Sequence, residues 1–321
     1  MADSSKLTDW LTENASLLDL QVTEFSWARE WNVPLSDLEV SIEIEGRRFR
    51  GRGTACGEDL AFVKAGAEAI ERAFCAGRGI HSVGVAAHTE ERAARSGAIK
   101  ELLERDAFFL HFFTRTPFSS RESHAGLRER FSGIFSVASA ASISIRFFRA
   151  RSASHVILAV AEGDQASLAF GGVVGLGCEP TEAAAAESAL LECGRNIAAI
   201  LLGDRRAPLS LEEFKSIPEP GSEDRQRLAL DLSYWRGVSY LFPESSREAA
   251  AVVPAEESPI LEKLAAPYRA LHSCPLVVYR AHFSNPVRSS ERSPTTIGRL
   301  QEFAGYPITE AQLQTLPHFL G

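Results

Sequence analysis

The sequence predicts an α+β fold of mixed β-sheets with long helices. Segments such as Leu38-Glu39-Val40-Ser41-Ile42-Glu43-Ile44 alternate strictly between apolar and polar residues, the period of a half-buried strand. Two stretches, about 59–77 and Glu90 to Thr114, carry helical spacing over five turns or more. The two kinds of segment interleave without steady alternation, which argues against a doubly wound parallel sheet.

In chain order, Leu7, Trp10, Leu11, Leu17 and Leu18 give a helix over 6–20. The strand at 38–44 turns at Glu45-Gly46 and returns from Arg47 to Arg52. Gly57, Glu58 and Asp59 can cap the helix from about 59 to 77, and Ile80 to Ala87 reads as a short strand. The helix from Glu90 to Thr114 ends in Phe108, Phe109, Phe112 and Phe113, which occupy all sides of it and point to burial against a partner helix or subunit. Strands follow at 142–148, 156–160 and 167–174, the last ending in Gly175-Leu176-Gly177-Cys178. An alanine-rich helix spans about 181–202. Residues 203–257, with Pro208, Pro218, Pro220 and Gly221, read as an irregular excursion. A helix near 257–270 and a strand from Pro275 to His282 close the core, and a polar tail runs from 285. The expected organisation is a single domain over 1–321.

Composition narrows the function. The 321 residues carry a net charge of −8 at ordinary apolar and charged fractions, so broad nucleic-acid binding is not expected. No run of eighteen apolar residues suggests a membrane span, and the N-terminus lacks a secretion pattern; a cytoplasmic protein is expected. Five scattered cysteines without CxxC pairs read as reduced thiols rather than a zinc site. The eight histidines show no HExxH spacing, Ser152, Ser154 and His155 have no GxSxG elbow, and Gly171-Gly172 with Gly175-x-Gly177 read as a strand-to-helix turn rather than a phosphate loop.

The chemistry-bearing pattern is an acidic-basic helical cluster found twice, thirty-three residues apart: Glu68-Ala69-Ile70-Glu71-Arg72 and Glu101-Leu102-Leu103-Glu104-Arg105. Positions i, i+3 and i+4 share a helix face, so each copy presents two carboxylates beside a guanidinium. Such a face can hold a divalent cation and phosphate oxygens, or it can be a solvated run of salt bridges. Ala65, Gly66, Ala67, Ala69 and Ala73 around the first copy suggest close approach by another backbone or a ligand. A further run, Glu182, Glu187 and Glu192, lies on the alanine-rich helix.

Gly53-Thr54 leading to Ala67-Glu68-Ala69-Ile70-Glu71-Arg72 resembles the signature helix of the YcaO family. Ser82-Val83-Gly84-Val85-Ala86 through Glu101-Leu102-Leu103-Glu104-Arg105-Asp106-Ala107 resembles its next block, and Gly175-Leu176-Gly177 running to Glu192 resembles its third. The three occur in family order and cover roughly residues 50 to 200.

The resemblance implies a YcaO-like fold with an acidic nucleotide pocket between helices. It implies a cytoplasmic enzyme of peptide natural-product biosynthesis that uses ATP and Mg2+ to activate a backbone amide. In the family's azoline-forming branch a Cys, Ser or Thr side chain attacks the preceding carbonyl, the oxygen is phosphorylated, and phosphate loss leaves thiazoline or oxazoline. Carried over by position, Glu68, Glu71 and Glu192 are the expected metal ligands. Arg72, Arg195 and Lys64 join them as cofactor-binding residues, and Glu104 and Arg105 buttress the site. Lys64-Ala65-Gly66 stands where the family often has serine, Arg195 and Ile197 where it has glutamine and arginine, and the ending lacks the PxPxP pattern. The implied partners are a precursor peptide, a leader-binding protein resembling ubiquitin-activating enzymes and a flavin dehydrogenase, in a homodimer or hetero-oligomer. A scaffold subunit without ATP turnover, and thioamide formation with a TfuA-like partner, are the alternatives.

Overall fold

A computed structural model describes residues 4–121, 125–163, 170–203, 207–244, 258–284, 286–287, 294–309, 312–314 and 316–320. The chain divides into two compact units, Met1–Arg105 with Glu257–Ser284, and Asp106–Glu256 with Asn285–Gly321.

The first unit opens with helix α1 (Ser4–Glu13), strand β1 (Gln21–Glu24) and a single helical turn, α2 (Trp27–Glu30). The hairpin β2 (Ser36–Ile44) and β3 (Arg47–Ala55) turns at Glu45-Gly46, both in the left-handed region, and leads to α3 (Glu58–Arg78). Strand β4 (Val85–His88) precedes α4 (Glu91–Thr114), whose first half belongs to this unit. Strands β1, β2 and β3 form one antiparallel sheet in that order. The alternation in β2 sends Val40, Ile42 and Ile44 into a core with Leu7 and Leu11 of α1 and Ala65, Ala69 and Phe74 of α3.

Residues 257–270, expected to be helical, hold strand β9 (Ile260–Leu264) and a 3-10 turn, Arg269–Leu271. Pro267 prevents a continuous helix, and β10 (Val277–His282) offers an antiparallel ladder partner, with Ile260 opposite His282. The second sheet is therefore β4-β10-β9. Of the expected 80–87 strand only the part from Val85 is extended, and β4 runs on to His88, because Gly84 turns the chain at φ +74°.

The second unit takes the other half of α4, then β5 (Ser119–Arg121), α5 (Ala125–Arg130) and α6 (Ser132–Ala140). Strands β6 (Ile143–Arg149), β7 (His155–Gly163) and β8 (Gly172–Glu179) complete the antiparallel sheet β5-β6-β7-β8. Part of the strand expected at 167–174 lies outside the described residues. Helix α7 (Glu182–Leu201) packs on β7 and β8, and Thr181 caps it by accepting from the Ala184 N–H. The stretch 203–257 is expected to be irregular, yet its described part carries α8 (Leu211–Ser216), capped by Ser210, α9 (Ser222–Leu230), and α10 (Leu232–Val238), capped by Asp231. The expected polar tail likewise contains α11 (Pro294–Ala304), and Leu300, Phe303, Leu313, Phe319 and Leu320 are buried.

The phenylalanines of α4 are not an outward surface. Phe108, Phe109, Phe112 and Phe113 are all buried within this chain, against Phe118, His318 and Phe319. The C-terminal segment of the same chain covers them, rather than a second subunit. No described helix is long and apolar enough to cross a membrane.

His111 sits at the centre of this aromatic core. Its Nδ1 lies 2.9 Å from the Thr116 carbonyl, and its Nε2 accepts from the Arg151 N–H at 2.8 Å, a pairing that requires the neutral ring. Burial pushes the imidazole pKa down from 6.5 to about 4. The unfolded chain therefore binds the extra proton between those values. Stability from this group is full above about pH 6.5 and is lost as pH falls toward 4, by about 3 kcal/mol in all. In urea titrations at pH 7.5, 5.5 and 4.5, the stability difference between the wild type and His111→Gln should follow that slope.

Candidate functional site

Strands β3, β4 and β8 each lie at an edge of their sheets. Such a strand has main-chain N–H groups without a ladder partner, and these need acceptors when a helix covers them. A glutamate meets the need in all three. The Arg52 N–H donates to Glu68 Oε2 at 2.7 Å, the Val85 N–H to Glu101 Oε2 at 3.1 Å and the Leu176 N–H to Glu192 Oε2 at 2.7 Å. In each case donor and acceptor are sixteen residues apart. One helical turn after the glutamate, Arg72 Nη1 donates to the Arg50 carbonyl at 2.6 Å and Asn196 Nδ2 to the Val174 carbonyl at 3.0 Å. Helices α3 and α7 thus close their strand edges in the same way, i to the N–H and i+4 to the carbonyl two residues before it.

Close approach is what the glycines allow. A Cβ on Gly51 would lie 2.2 Å from the Ala65 oxygen, and one on Gly175 2.2 Å from the Ala189 oxygen. Two residues on, Gly53 faces the Lys64 stem and Gly177 faces Ser188, whereas in the β4 copy the small partner has changed sides, with Ala86 on the strand against Gly97 on the helix. Gly53→Ala would drive its methyl to 2.0 Å from the Ala61 oxygen. Denaturant unfolding should show a loss of at least about 2 kcal/mol.

In the first unit the device brings carboxylates together. Glu68 accepts from Arg72 Nη2 at 2.5 Å on one oxygen and from Arg52 on the other, leaving a lone pair on each. Glu71 is recessed: burial and the charges of Glu101 and Glu68 push its pKa well above the usual carboxylate range, against the opposing effects of Arg72 and a hydrogen bond from the Ala87 backbone. Burial also pushes Glu101 up to about 7, opposed by Arg105 and by hydrogen bonds with the Val85 and Gly84 backbone. Edge strand β4 therefore serves both carboxylates. The buried Cys75 thiol beside them is pushed up to about 12, chiefly by burial and then by Glu71 and Glu101.

The expected residues fall as follows. Glu68, Glu71 and Arg72 sit together, and Arg72 is tied to Glu68 and the Arg50 carbonyl. Lys64 is exposed, 3.5 Å from the Thr54 carbonyl. Glu192 and Arg195 belong to the second unit, where Arg195 takes the place that Glu71 has after Glu68. There Glu192 lines a narrow cleft with Asn196, Phe319 and Leu320. Tyr234 and Arg225 hold that C-terminal segment by donating to the Pro317 and His318 carbonyls at 2.5 and 3.1 Å. Glu182 pairs with Arg149 at 2.9 Å and Glu187 with Arg130 at 2.7 Å, so only Glu192 of that run reaches a strand edge. Glu104 and Arg105 approach each other at 3.9 Å.

Glu101 was missed as a member of the acidic group. Its signal is a spacing: Gly51, Gly84 and Gly175 each precede a glutamate by seventeen residues, with Gly or Ala two places after the glycine. Among the described residues, no three carboxylate, imidazole or thiol side chains converge closely enough to hold a metal ion unaided. Magnesium suits such a site, because it commonly takes one or two carboxylates and fills its octahedron with water and phosphate oxygens.

Glu101 gives a stability test. A carboxyl raised from 4.5 to about 7 keeps in the fold a proton that the unfolded chain releases, so the contribution of this group to stability falls as pH rises across that window. Glu101→Gln should stabilise the protein at pH 8 by up to about 3 kcal/mol and change little near pH 4, as read from melting curves.

A family model described as YcaO cyclodehydratase, ATP- and Mg2+-binding, matches residues 80–291. No curated protein matches. Among solved structures, YcaO from Methanopyrus kandleri bound with AMPPCP and Mg2+ superposes with a TM-score of 0.59 at 15% identity, covering 88% of this chain and 91% of that one. A heterocyclase in complex with substrate and cofactor gives 0.66 at 11%, covering 97% and 57%. The E. coli microcin synthetase McbBCD complex gives 0.52 at 10%, covering 79% and 86%. At these identities the structural likenesses establish the fold.

Proposed function

This chain belongs to the YcaO family, and on that premise we propose that it activates peptide backbone amides for cyclodehydration of Cys, Ser or Thr to thiazoline or oxazoline. The family's ligands are ATP and Mg2+, and the chain is an ATP-dependent enzyme. ATP supplies the phosphoryl group that turns an amide oxygen into a leaving group. Phosphoryl transfer asks a protein mainly for positioning and charge neutralisation, which fixed helical carboxylates and arginines provide.

The observation that carries this proposal is the Glu68, Glu71 and Glu101 group. Glu71 and Glu101 are recessed and each repelled by a neighbouring carboxylate, a cost that a bound cation removes. A scaffold that bound nothing would gain stability by losing one of them, so their presence favours an active nucleotide site over the scaffold alternative. Glu68 and Glu71 are the proposed metal ligands, with Glu101 added. Arg72 holds the Glu68 carboxylate in place, since its guanidinium is already occupied by Glu68 and the Arg50 carbonyl. Lys64 in the first unit, and Glu192 and Arg195 in the second, are proposed as cofactor-binding residues, each to be tested separately. Glu192 keeps the same hydrogen bond to a strand edge as Glu68. The proposal places the chain in the cytoplasm, in a synthetase with a precursor peptide, a leader-binding protein and an oxidising flavin dehydrogenase. The shared fold with a subunit of the McbBCD microcin synthetase supports that setting.

Calorimetric titration with ATP and Mg2+ is the test. Saturable binding should weaken at least about ten-fold in Glu71→Gln and in Glu101→Gln, and Glu192→Gln reads the second unit. Wild-type protein that binds no nucleotide in the presence of its partners would reject the proposal.

A further inference from the structure

Asp37 is a fully buried carboxylate at the start of β2, and three side chains donate to it. Trp27 Nε1 donates to Oδ2 at 2.5 Å and Thr54 Oγ1 to Oδ1 at 3.0 Å. Arg52 donates through Nε to Oδ1 and Oδ2 at 3.1 and 3.2 Å, and through Nη2 to Oδ2 at 2.6 Å. The same guanidinium lies 3.9 Å from the centre of the Phe25 ring, whose own N–H donates to the Asp37 carbonyl. Charged, forked and stacked at once, the Arg52 side chain has little freedom to turn.

Arg52 is also the residue whose N–H holds Glu68. Its side chain leaves β3 on the face opposite Gly51 and Gly53, which lie against α3. Asp37 thus grips the strand from one side at the residue where Glu68 grips its edge. We propose that Asp37 is a positioning residue for the Glu68 carboxylate, acting through Arg52. Its role in nucleotide binding rests on the assignment of Glu68 as a metal ligand, but its effect on Glu68 does not. A carboxylate buried for packing alone is an expensive choice, since an apolar residue would fill the space without desolvating a charge. What the ion pair adds is a fixed strand position.

The test reads the Arg52 amide by 1H–15N NMR beside calorimetry with Mg2+ and a non-hydrolysable ATP analogue. An amide that donates to a carboxylate resonates downfield, and Glu68→Gln calibrates the loss of that partner. Asp37→Asn should move the Arg52 amide in the same direction as Glu68→Gln and weaken nucleotide affinity about ten- to a hundred-fold. Arg52→Lys should do the same: it keeps the amide and the charge and loses the fork. It also serves if Asp37→Asn does not fold. A variant that melts earlier while its residue-52 amide and nucleotide affinity stay at wild-type values would overturn the proposal, because Asp37 would then be structural only. If the wild type binds no nucleotide, the proposed function falls, and the amide shift alone decides whether Asp37 positions Glu68.

Discussion

An N–H group on a covered sheet edge must be given an acceptor, and much of this structure follows from how that is done. Leaving such a donor buried and unmet costs about 1–3 kcal/mol. Here a helix comes close enough for a glutamate to reach the strand, which demands glycine or alanine where the two backbones meet. The alanine-rich faces of α3 and α7, the glycines of β3 and β8 and the fixed rotamers of Glu68 and Glu192 are parts of one solution. Edge protection and the holding of a carboxylate are the same contact.

The two units then use that contact differently. In the first, α3 and α4 bring Glu68, Glu71 and Glu101 near one another, so the arrangement carries carboxylate charge that Arg72, Arg105 and the β4 amides only partly offset. In the second, Arg195 and Asn196 follow Glu192 where Glu71 and Arg72 follow Glu68. The framework is retained while the local charge changes sign at one position.

The hairpin, α3, α4 and α7 were legible because their periodicity is long and their core faces are continuous. Glu68, Glu71 and Arg72 were legible as a helix face. Glu101 received no role of its own beside the buttress pair Glu104 and Arg105, because the glutamate-arginine pairs hide the constant distance back to a strand glycine. Residues 257–270 misled for a different reason: Leu261 and Leu264 have helical spacing, and only the neighbouring β10 edge makes them a strand. The four phenylalanines ending α4 are apolar on every side, and sequence cannot say that Phe319, two hundred residues away, is what covers them. Asp37, just outside the strand expected at 38–44, carries no signal in the sequence, since Trp27, Arg52 and Thr54 meet around it only after the sheet has formed.

The three donors that hold the glutamates belong to Arg52, Val85 and Leu176, residues with nothing in common but a main chain. An anchor made of backbone is invisible to selection on side chains, so Val85 and Leu176 are free to drift as long as proline never enters them, while Arg52 is held by its side-chain ion pair with Asp37. The chemistry can therefore outlive almost all of the surrounding sequence, with only a glycine and a distant glutamate left to mark where it is.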